Sequence, residues 1–273
     1  MADTQSSKGQ RRREQVMNVL KRQGRITVQE VVERFNVSEA TARRDLELME
    51  KSEPVIRTIG GAMYDGMNTV RELPFAEKEG LSFLEKERIA AAAAALIEEG
   101  DVVGLSGGTT NYYLAKLLKT RRGITVVTNT VNVAMELAGS DIQVVVTGGM
   151  MRHNSFELCG PLGEGMIGQL NLGKMFLGVD GVSSTGGITT YSEQEAHIAK
   201  AMIRRSQATY AMFDNTKIGK TSLFSIAPLS ELQGFITDRP LPQQLAAAAE
   251  SFGIQVFLAR EEQHSDEAGF GSI

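Results

Sequence analysis

The sequence predicts an α/β protein with a small helical N-terminal domain and a larger C-terminal domain built on a mostly parallel, doubly wound sheet. Two observations indicate this. Between residues 10 and 49, apolar residues recur with the spacing of helices. From residue 102 onward, short continuous apolar runs alternate with helical stretches, which is the pattern of strands buried on both faces of a parallel sheet.

Two short helices joined by a tight turn are predicted between residues 28 and 49. Thr27 and Glu30 have the spacing of a capping box at the start of the first of them. Asn36 then breaks the helical pattern, and Ser38 offers a hydroxyl group to cap the second helix. The stretch is therefore predicted to be a helix-turn-helix.

The outer face of this second helix carries hydroxyl and guanidinium groups, whereas its apolar residues share the opposite face. The candidate contact residues on the outer side are Ser38, Thr41, Arg43 and Arg44. Hydroxyl and guanidinium groups bind phosphates, and arginine also reads guanine edges in the major groove. The pattern predicts a DNA-binding helix. The alternative is a small helical bundle with a solvated arginine pair.

A wing is predicted directly after these helices. Residues 55–59 have the composition of a strand, Gly60 and Gly61 form a turn, and residues 62–64 return as the partner strand. Arg57 is thereby placed to touch a backbone phosphate or the minor groove. Together with the preceding helices, the region is predicted to be a winged helix-turn-helix.

The order of these parts resembles the DeoR family of bacterial transcription regulators. VSEATARRDL followed by RTIGGA carries the resemblance, which covers roughly residues 11–64. Ile59 departs from the family pattern, which has a histidine before the glycine pair. The resemblance implies an N-terminal domain that binds operator DNA.

Composition and charge distribution agree with a two-domain, DNA-binding chain. The 273 residues are 42% apolar and 23% charged, which is typical of a globular protein. The net charge is −4, but residues 1–62 carry +3 and the remainder carries −7. A mildly basic head on an acidic body favours DNA contact at one end of the chain.

Several classes of protein are not expected. No apolar run is long enough for a membrane span, and the charged start lacks the apolar segment of a signal peptide. The single cysteine, Cys159, excludes an internal disulfide and suits a reducing cytoplasm, where it is expected to be a packed thiol. The three histidines lack metal-ligand spacing, so neither a metal site nor a cofactor is expected.

Glycine and polar residues follow most of the predicted strands of the larger domain. Ligands of doubly wound sheets bind at the carboxyl ends of the strands. Glycine lets a backbone approach a ligand, threonine hydroxyls and helix N–H groups bind an anion, and carboxylates and amides bind hydroxyl groups. A polyhydroxylated phosphate is therefore predicted as the ligand. The candidate residues are Gly107, Gly108, Thr109, Thr110, Asn129, Gly149, Asp180 and Lys217.

These strand ends extend the resemblance to the sensor half of DeoR-family regulators, which is similar to ribose-5-phosphate isomerase and glucosamine-6-phosphate deaminase folds. The motifs that carry it are EKERIA, GGTT, VVTNT, TGG, DG and DNTKIG. The positions that match the family's ligand pocket are Gly108, Thr109, Thr110, Asn129, Asp180 and Lys217. Ser106 departs from the pattern, because the family commonly has an acidic residue there.

The resemblance implies a Rossmann-like sensor domain and a repressor of a carbohydrate-catabolic operon that a phosphorylated sugar releases from DNA. A dimer or tetramer is expected, since paired half-sites demand at least two helix-turn-helix units. The predicted organisation is a disordered leader (1–10), the winged helix-turn-helix (11–64), a linker (65–81), the effector-sensing domain (82–260) and a tail (261–273).

Two other functions fit parts of the sequence. A sugar-phosphate isomerase or deaminase with a DNA-binding head would need a positioned base, for which Asp180 or Glu195 is available. However, Asp180 lacks the adjacent second acid of the isomerases. A nucleotide-binding protein is suggested by the GGTT loop, but no lysine follows that loop as in a phosphate-binding loop of the Gly-Lys-Ser/Thr type.

Overall fold

The chain folds into two compact units, with the boundary between Phe83 and Leu84. The computed structural model describes residues 8–23, 25–53, 55–58, 60–64 and 72–259. Ile59, the predicted tail, and parts of the predicted leader and linker lie outside the described residues.

The first unit has the predicted helices and wing. Its elements are α1 (Lys8–Gln23), β1 (Arg25–Thr27), α2 (Val28–Phe35), α3 (Glu39–Ser52), β2 (Val55–Thr58), β3 (Gly61–Tyr64) and α4 (Phe75–Glu79). The strands pair antiparallel in the order β1-β3-β2. β1 was not predicted, because three residues are too few for an alternating pattern to be recognised. α4 lies within the predicted linker.

One apolar cluster from α1, α2, α3 and the wing forms the core of this unit. Val16 and Leu20 of α1 are fully buried, as their helical spacing predicts. Ala42, Leu46 and Met49 of α3 are also buried, so the apolar face of that helix packs inward. The opposite face of α3 is therefore left for solvent or a ligand.

The predicted helix caps are present. The hydroxyl oxygen of Thr27 accepts the N–H of Glu30 at 3.1 Å, and the Thr27 N–H donates to Glu30 Oε2 at 2.8 Å. Asn36 adopts the left-handed conformation with φ 47° and ends α2, since asparagine tolerates this region better than most residues. Ser38 begins α3 by accepting the N–H of Thr41 at 3.3 Å.

Replacing Thr27 with alanine should destabilise this unit by about 1 kcal/mol, the usual cost of losing such a cap. The Thr27 N–H, with its hydroxyl and Arg34 adding smaller contributions, holds the pKa of Glu30 below its ordinary value of 4.5, and partial burial opposes this. A carboxylate whose pKa is lower in the folded state than in the unfolded state stabilises the folded state at pH values above its unfolded-state pKa. That stabilisation is lost as the pH falls through the folded-state pKa.

Thermal unfolding of wild type and Thr27→Ala at neutral pH measures the loss of the cap. The same measurement on wild type and Glu30→Gln, from neutral to acidic pH, tests the contribution of the Glu30 carboxylate. The difference in stability between wild type and Glu30→Gln should shrink with acidification. Equal pH profiles for wild type and Glu30→Gln would contradict the role of the capping box.

The second unit alternates strands and helices. Its helices are α5 (Phe83–Ala94, which begins at the boundary), α6 (Thr109–Leu118), α7 (Val131–Leu137), α8 (Pro161–Ile167), α9 (Glu193–Arg204) and α10 (Gln243–Ser251). Its strands are β4 (Val102–Leu105), β5 (Thr125–Thr128), β6 (Gln143–Val146), β7 (Met150–Met151), β8 (Leu158–Cys159), β9 (Leu172–Gly178), β10 (Gly181–Ser183), β11 (Gly187–Thr190), β12 (Ser206–Phe213), β13 (Phe224–Ala227), β14 (Gly234–Thr237) and β15 (Gln255–Leu258).

Within the described residues, seven of these strands form one sheet in the order β15-β14-β12-β9-β4-β5-β6. All its neighbouring strands are parallel, which confirms the predicted fold class. From β4 the chain runs outward through β5 and β6, and it then returns to β9 and runs outward the other way. The direction of winding reverses between β4 and β9, which is where ligands of such sheets bind.

Two smaller sheets were not predicted from the sequence. β10, β11 and β13 form an antiparallel sheet, and β7 and β8 form a two-stranded hairpin. These strands are too short for a recognisable pattern, and the pairing of β11 with β13 joins residues more than 30 positions apart. Cys159 in β8 is buried, as expected of a packed thiol. Among the described residues, no helix has both the length and the apolar character needed to cross a membrane.

Candidate DNA-binding helix and effector site

The first turn of α3 presents two hydroxyl groups. Ser38 Oγ and Thr41 Oγ1 lie 2.8 Å apart and share a hydrogen bond. Ser38 is exposed, and Thr41 is half-buried. The N-terminal end of a helix that carries hydroxyl groups is suited to contacts with a phosphate.

The two arginines of α3 differ in their surroundings. Arg43 donates from Nε and Nη2 to Glu39 Oε1 at 3.0 and 2.7 Å, one helical turn away. Arg44 is exposed, and the described part of the chain offers it no hydrogen bond or ion pair. An exposed ion pair adds little stability, so Arg43 can exchange Glu39 for another anion. Arg44 is available without any such exchange.

Arg57 braces the wing against α3. Its Nη1 donates to the backbone carbonyl of Arg43 at 2.8 Å, and its own N–H donates to Glu50 Oε1 at 3.3 Å. Its Nε is buried without a hydrogen-bond partner. The predicted contact of Arg57 with DNA stays a prediction, and it would have to use the remaining N–H groups of the guanidinium.

Asp45 is a residue of this unit that the motif analysis missed. It is buried on α3, and its carboxylate pairs with Arg12 Nε at 2.5 Å and Arg13 Nη1 at 3.4 Å. These contacts fasten α3 to α1. The sequence held a signal, since Asp45 is three residues after Ala42 and so falls on the inward face.

The candidate effector residues lie at the carboxyl ends of five adjacent strands, in the order β12-β9-β4-β5-β6. The loop of residues 107–110 follows β4, and Asp180 follows the neighbouring β9. Asn129 follows β5, Gly149 follows β6, and Lys217 ends a short 3-10 helix after β12. The structure thus brings the predicted residues to one edge of the sheet. Adjacent strands are about 4.8 Å apart, so the loops after β4 and β9 are neighbours.

The loop after β4 leads directly into α6. Gly108 is the N-cap and has φ 102°, a backbone conformation that glycine adopts without strain. No side chain caps α6. Thr109 and Thr110, which begin the helix, are buried. A helix start that lacks a side-chain cap offers its N–H groups to an anion.

Ser106, which departs from the family pattern, joins β4 to β9. Its Oγ accepts the N–H of Gly178 at 3.2 Å and Nδ2 of Asn111 at 3.1 Å. Asn111 is fully buried and also donates to the carbonyl of Phe176 at 3.1 Å. These contacts hold the two strands together at the point where the winding reverses.

The remaining predicted residues are buried or half-buried, and they differ in the partners that their polar groups have. Asp180 Oδ2 accepts Thr190 Oγ1 at 3.2 Å, and Asn129 Oδ1 is buried without a hydrogen-bond partner. Gly149 has a structural role, because a β-carbon there would lie 2.5 Å from the carbonyl oxygen of Cys159. Lys217 is half-buried, and its side chain has no hydrogen bond within the described residues.

Carboxylates also collect after β12 and β14, on the same edge of the sheet. Burial raises the pKa of Asp238, and the charge of the nearby Asp214 acts in the same direction. The N–H of Asn215 donates to Asp238 Oδ1 at 2.7 Å and opposes the rise. The region near Lys217 therefore has acidic neighbours.

A guanidinium held between two carboxylates, which the motif analysis did not find, lies beside this site. Arg152 Nη1 is 2.7 Å from Glu157 Oε2 and 3.6 Å from Glu195 Oε2. Glu195 in turn accepts Thr190 Oγ1 at 2.6 Å, the hydroxyl that also contacts Asp180. A continuous chain of polar contacts therefore runs from the end of β9 to the β7–β8 hairpin.

Comparison with known families decides which proteins this chain resembles as a whole. Residues 12–67 match the model of the DeoR-like helix-turn-helix domain, and residues 82–239 match that of the DeoR C terminal sensor domain. The chain belongs to the DeoR family. The DeoR sensor match includes every candidate effector residue, and the helix-turn-helix match includes every candidate DNA contact.

Individual DeoR-family relatives align over almost the whole chain. The HTH-type transcriptional regulator YulB of Bacillus subtilis is 33% identical over 246 residues, which are 90% of this chain and 95% of YulB. The lactose phosphotransferase system repressor of Streptococcus mutans is 34% identical over 230 residues, which are 83% of this chain and 91% of that repressor.

Solved structures are only weakly similar to the DeoR-family chain. Ribose 5-phosphate isomerase A from Methanocaldococcus jannaschii is 16% identical, with a TM-score of 0.37 over 49% of this chain and 53% of the isomerase. At that score the likeness carries no functional argument.

Proposed function

We propose that the protein is a transcriptional repressor of a carbohydrate-catabolic operon, which binds operator DNA through α3 and leaves it when a phosphorylated sugar binds between β4 and β9. The observation that carries the proposal is the start of α6. It has no side-chain cap, follows the glycine pair Gly107–Gly108, and stands where the winding of the sheet reverses. The same chain carries the exposed Arg44 on a helix-turn-helix.

The chemistry of the site suits such an effector. The N–H groups at the start of α6 supply a partial positive charge, and Lys217 adds a full one for a phosphate dianion. Asp180 and Asn129 are suited to binding sugar hydroxyl groups. Pairing of operator half-sites would require a dimer or tetramer, acting in the cytoplasm where the DNA lies.

The relatives' names favour a regulator over an enzyme. YulB is named a transcriptional regulator and the Streptococcus protein a repressor. The alternative, a sugar-phosphate isomerase with a DNA-binding head, makes a different prediction. It requires turnover when the protein is incubated with pentose and hexose phosphates, whereas a repressor requires loss of operator binding under the same conditions.

A panel of sugar phosphates tested by thermal shift should contain a ligand that stabilises the second unit, because a ligand of the folded state raises stability by mass action. Lys217→Met and Thr109→Val should each weaken binding of that ligand. If both groups hold one phosphate, their effects should not be additive. Lys119→Met is the matched control, since Lys119 lies at the opposite end of α6.

Operator binding without effector should be unchanged in these variants, because the site biases DNA binding only when it is occupied. Normal effector binding by Lys217→Met would remove this lysine from the site. Equal protection by the dephosphorylated sugar would contradict the anion site itself.

A further inference from the structure

The carboxylate of Glu157 occupies the place beside the glycine loop. Glu157 is almost fully buried, with 1% of its surface exposed. A β-carbon built on Gly107 would lie 1.4 Å from Glu157 Oε1, so this oxygen fills the space that a side chain at position 107 would take. Gly107 immediately precedes the N-cap of α6. A negatively charged group of the chain itself therefore lies next to the proposed anion site.

The β7–β8 hairpin delivers this carboxylate. The N–H of Leu158 donates to the carbonyl of Asn129 at 2.6 Å, and the N–H of Val131 donates to the carbonyl of Phe156 at 3.0 Å. These backbone bonds fix the residues on both sides of Glu157 against the segment that follows β5. The position of its carboxylate is therefore defined by the fold and not by a surface rotamer.

The carboxylate is also paired with Arg152, a cation that could bind an incoming phosphate. Arg152 Nη1 lies 2.7 Å from Glu157 Oε2, and Ser155 Oγ donates to the same oxygen at 3.1 Å. The guanidinium is only 13% exposed, so it is poorly solvated by water. Arginine binds phosphate in the same bidentate manner as carboxylate, and a phosphate dianion carries more charge.

We propose that Glu157 is a built-in competitor for the anionic group of the effector, and that Arg152 exchanges Glu157 for that group when the effector binds. This inference rests on the proposed function and names the residues that set the affinity of its site. The free site exists in a form occupied by its own carboxylate. The measured affinity is then the intrinsic affinity multiplied by the fraction of molecules in which Glu157 has withdrawn.

The exchange also accounts for the choice of ligand. A neutral sugar cannot replace the charge of Glu157 at Arg152, because the departure of the carboxylate would remove the negative charge nearest to a poorly solvated guanidinium. A phosphorylated sugar supplies the missing charge. Glu157 therefore raises the discrimination between the phosphorylated and the neutral form, at the expense of affinity for both.

Isothermal titration calorimetry tests the proposal, with inorganic phosphate and ribose 5-phosphate titrated in turn into the full-length protein. Glu157→Gln removes the charge and keeps the shape, and Glu157→Ala removes both. Both variants are expected to bind inorganic phosphate about tenfold more tightly than wild type, as for release of a competing conformation. Glu193→Gln, an exposed acid in the first turn of α9, should bind as wild type does. Arg152→Gln should bind more weakly.

Equal or weaker phosphate binding by both Glu157 variants would overturn the inference. The proposed function is tested separately, by release of operator DNA from wild-type protein with the sugar-phosphate panel. Release together with unchanged phosphate binding by the Glu157 variants leaves the function standing and the competitor refuted. Tighter phosphate binding by those variants, without release of operator DNA by any sugar phosphate, supports the competitor and refutes the proposed function.

Discussion

Replacing Arg43 and Arg44 together with alanine is expected to abolish specific operator binding while the fold persists. Both side chains are exposed on α3, and neither contributes to the core of the first unit. An arginine bound to a base edge contributes about 1–3 kcal/mol to binding and to specificity. An arginine bound to phosphate alone instead weakens binding to all sequences and lowers the salt slope by about one unit.

The single variants should differ, because the two guanidinium groups begin from different states. Arg44 has no partner among the described residues, whereas Arg43 is held 2.7 Å from Glu39. Arg44→Ala should therefore cost more than Arg43→Ala. Glu39→Gln should strengthen DNA binding slightly, since it releases Arg43 and removes a negative charge from the face that meets phosphates.

Fluorescence anisotropy with an operator selected from genomic DNA, measured over a range of salt concentrations, separates these cases. Circular dichroism of each variant controls for the fold. Operator binding by the double variant at wild-type strength would exclude Arg43 and Arg44 as DNA contacts and would leave them a solvated arginine pair.

Local patterns were sufficient to predict most of the architecture. The apolar spacing of α2 and α3 and the caps at Thr27 and Ser38 depend on residues within one or two turns, so they can be read directly from the sequence. The continuous apolar runs predicted every strand of the parallel sheet. Because parallel strands carry their ligands at one end, the runs also predicted the edge on which the candidate residues lie.

The remaining features depend on contacts between distant residues. Arg152 and Glu157 lie on a hairpin whose strands have two residues each, too short for a recognisable pattern, and their link to Glu195 spans three further strands and a helix. The effector contact of Gly149 stays a prediction, and close backbone packing is a second reason for a glycine there that looks the same in the sequence. Its neighbour in the structure is Cys159.

Asp45→Ala should lower the stability of the first unit by about 2–3 kcal/mol, the largest effect expected from a single polar residue there. The substitution leaves Arg12 and Arg13 without their shared carboxylate. Removing one member of a fully buried pair costs about 3–5 kcal/mol. The two arginines are 20% and 30% exposed, so water recovers part of that energy.

Hydrogen exchange of the amides of α1 and α3 in the full-length protein measures this effect locally, since the two units need not unfold together. Glu47→Ala, an exposed acid on the same helix, should change protection by less than about 0.5 kcal/mol. DNA affinity should fall in Asp45→Ala because α3 is positioned less firmly. The salt slope should be preserved, because the number of groups that contact phosphate is unchanged. Wild-type protection of α1 in Asp45→Ala would mean that the apolar core alone positions α3. Asp45 would then have no structural role beside the two arginines that precede it.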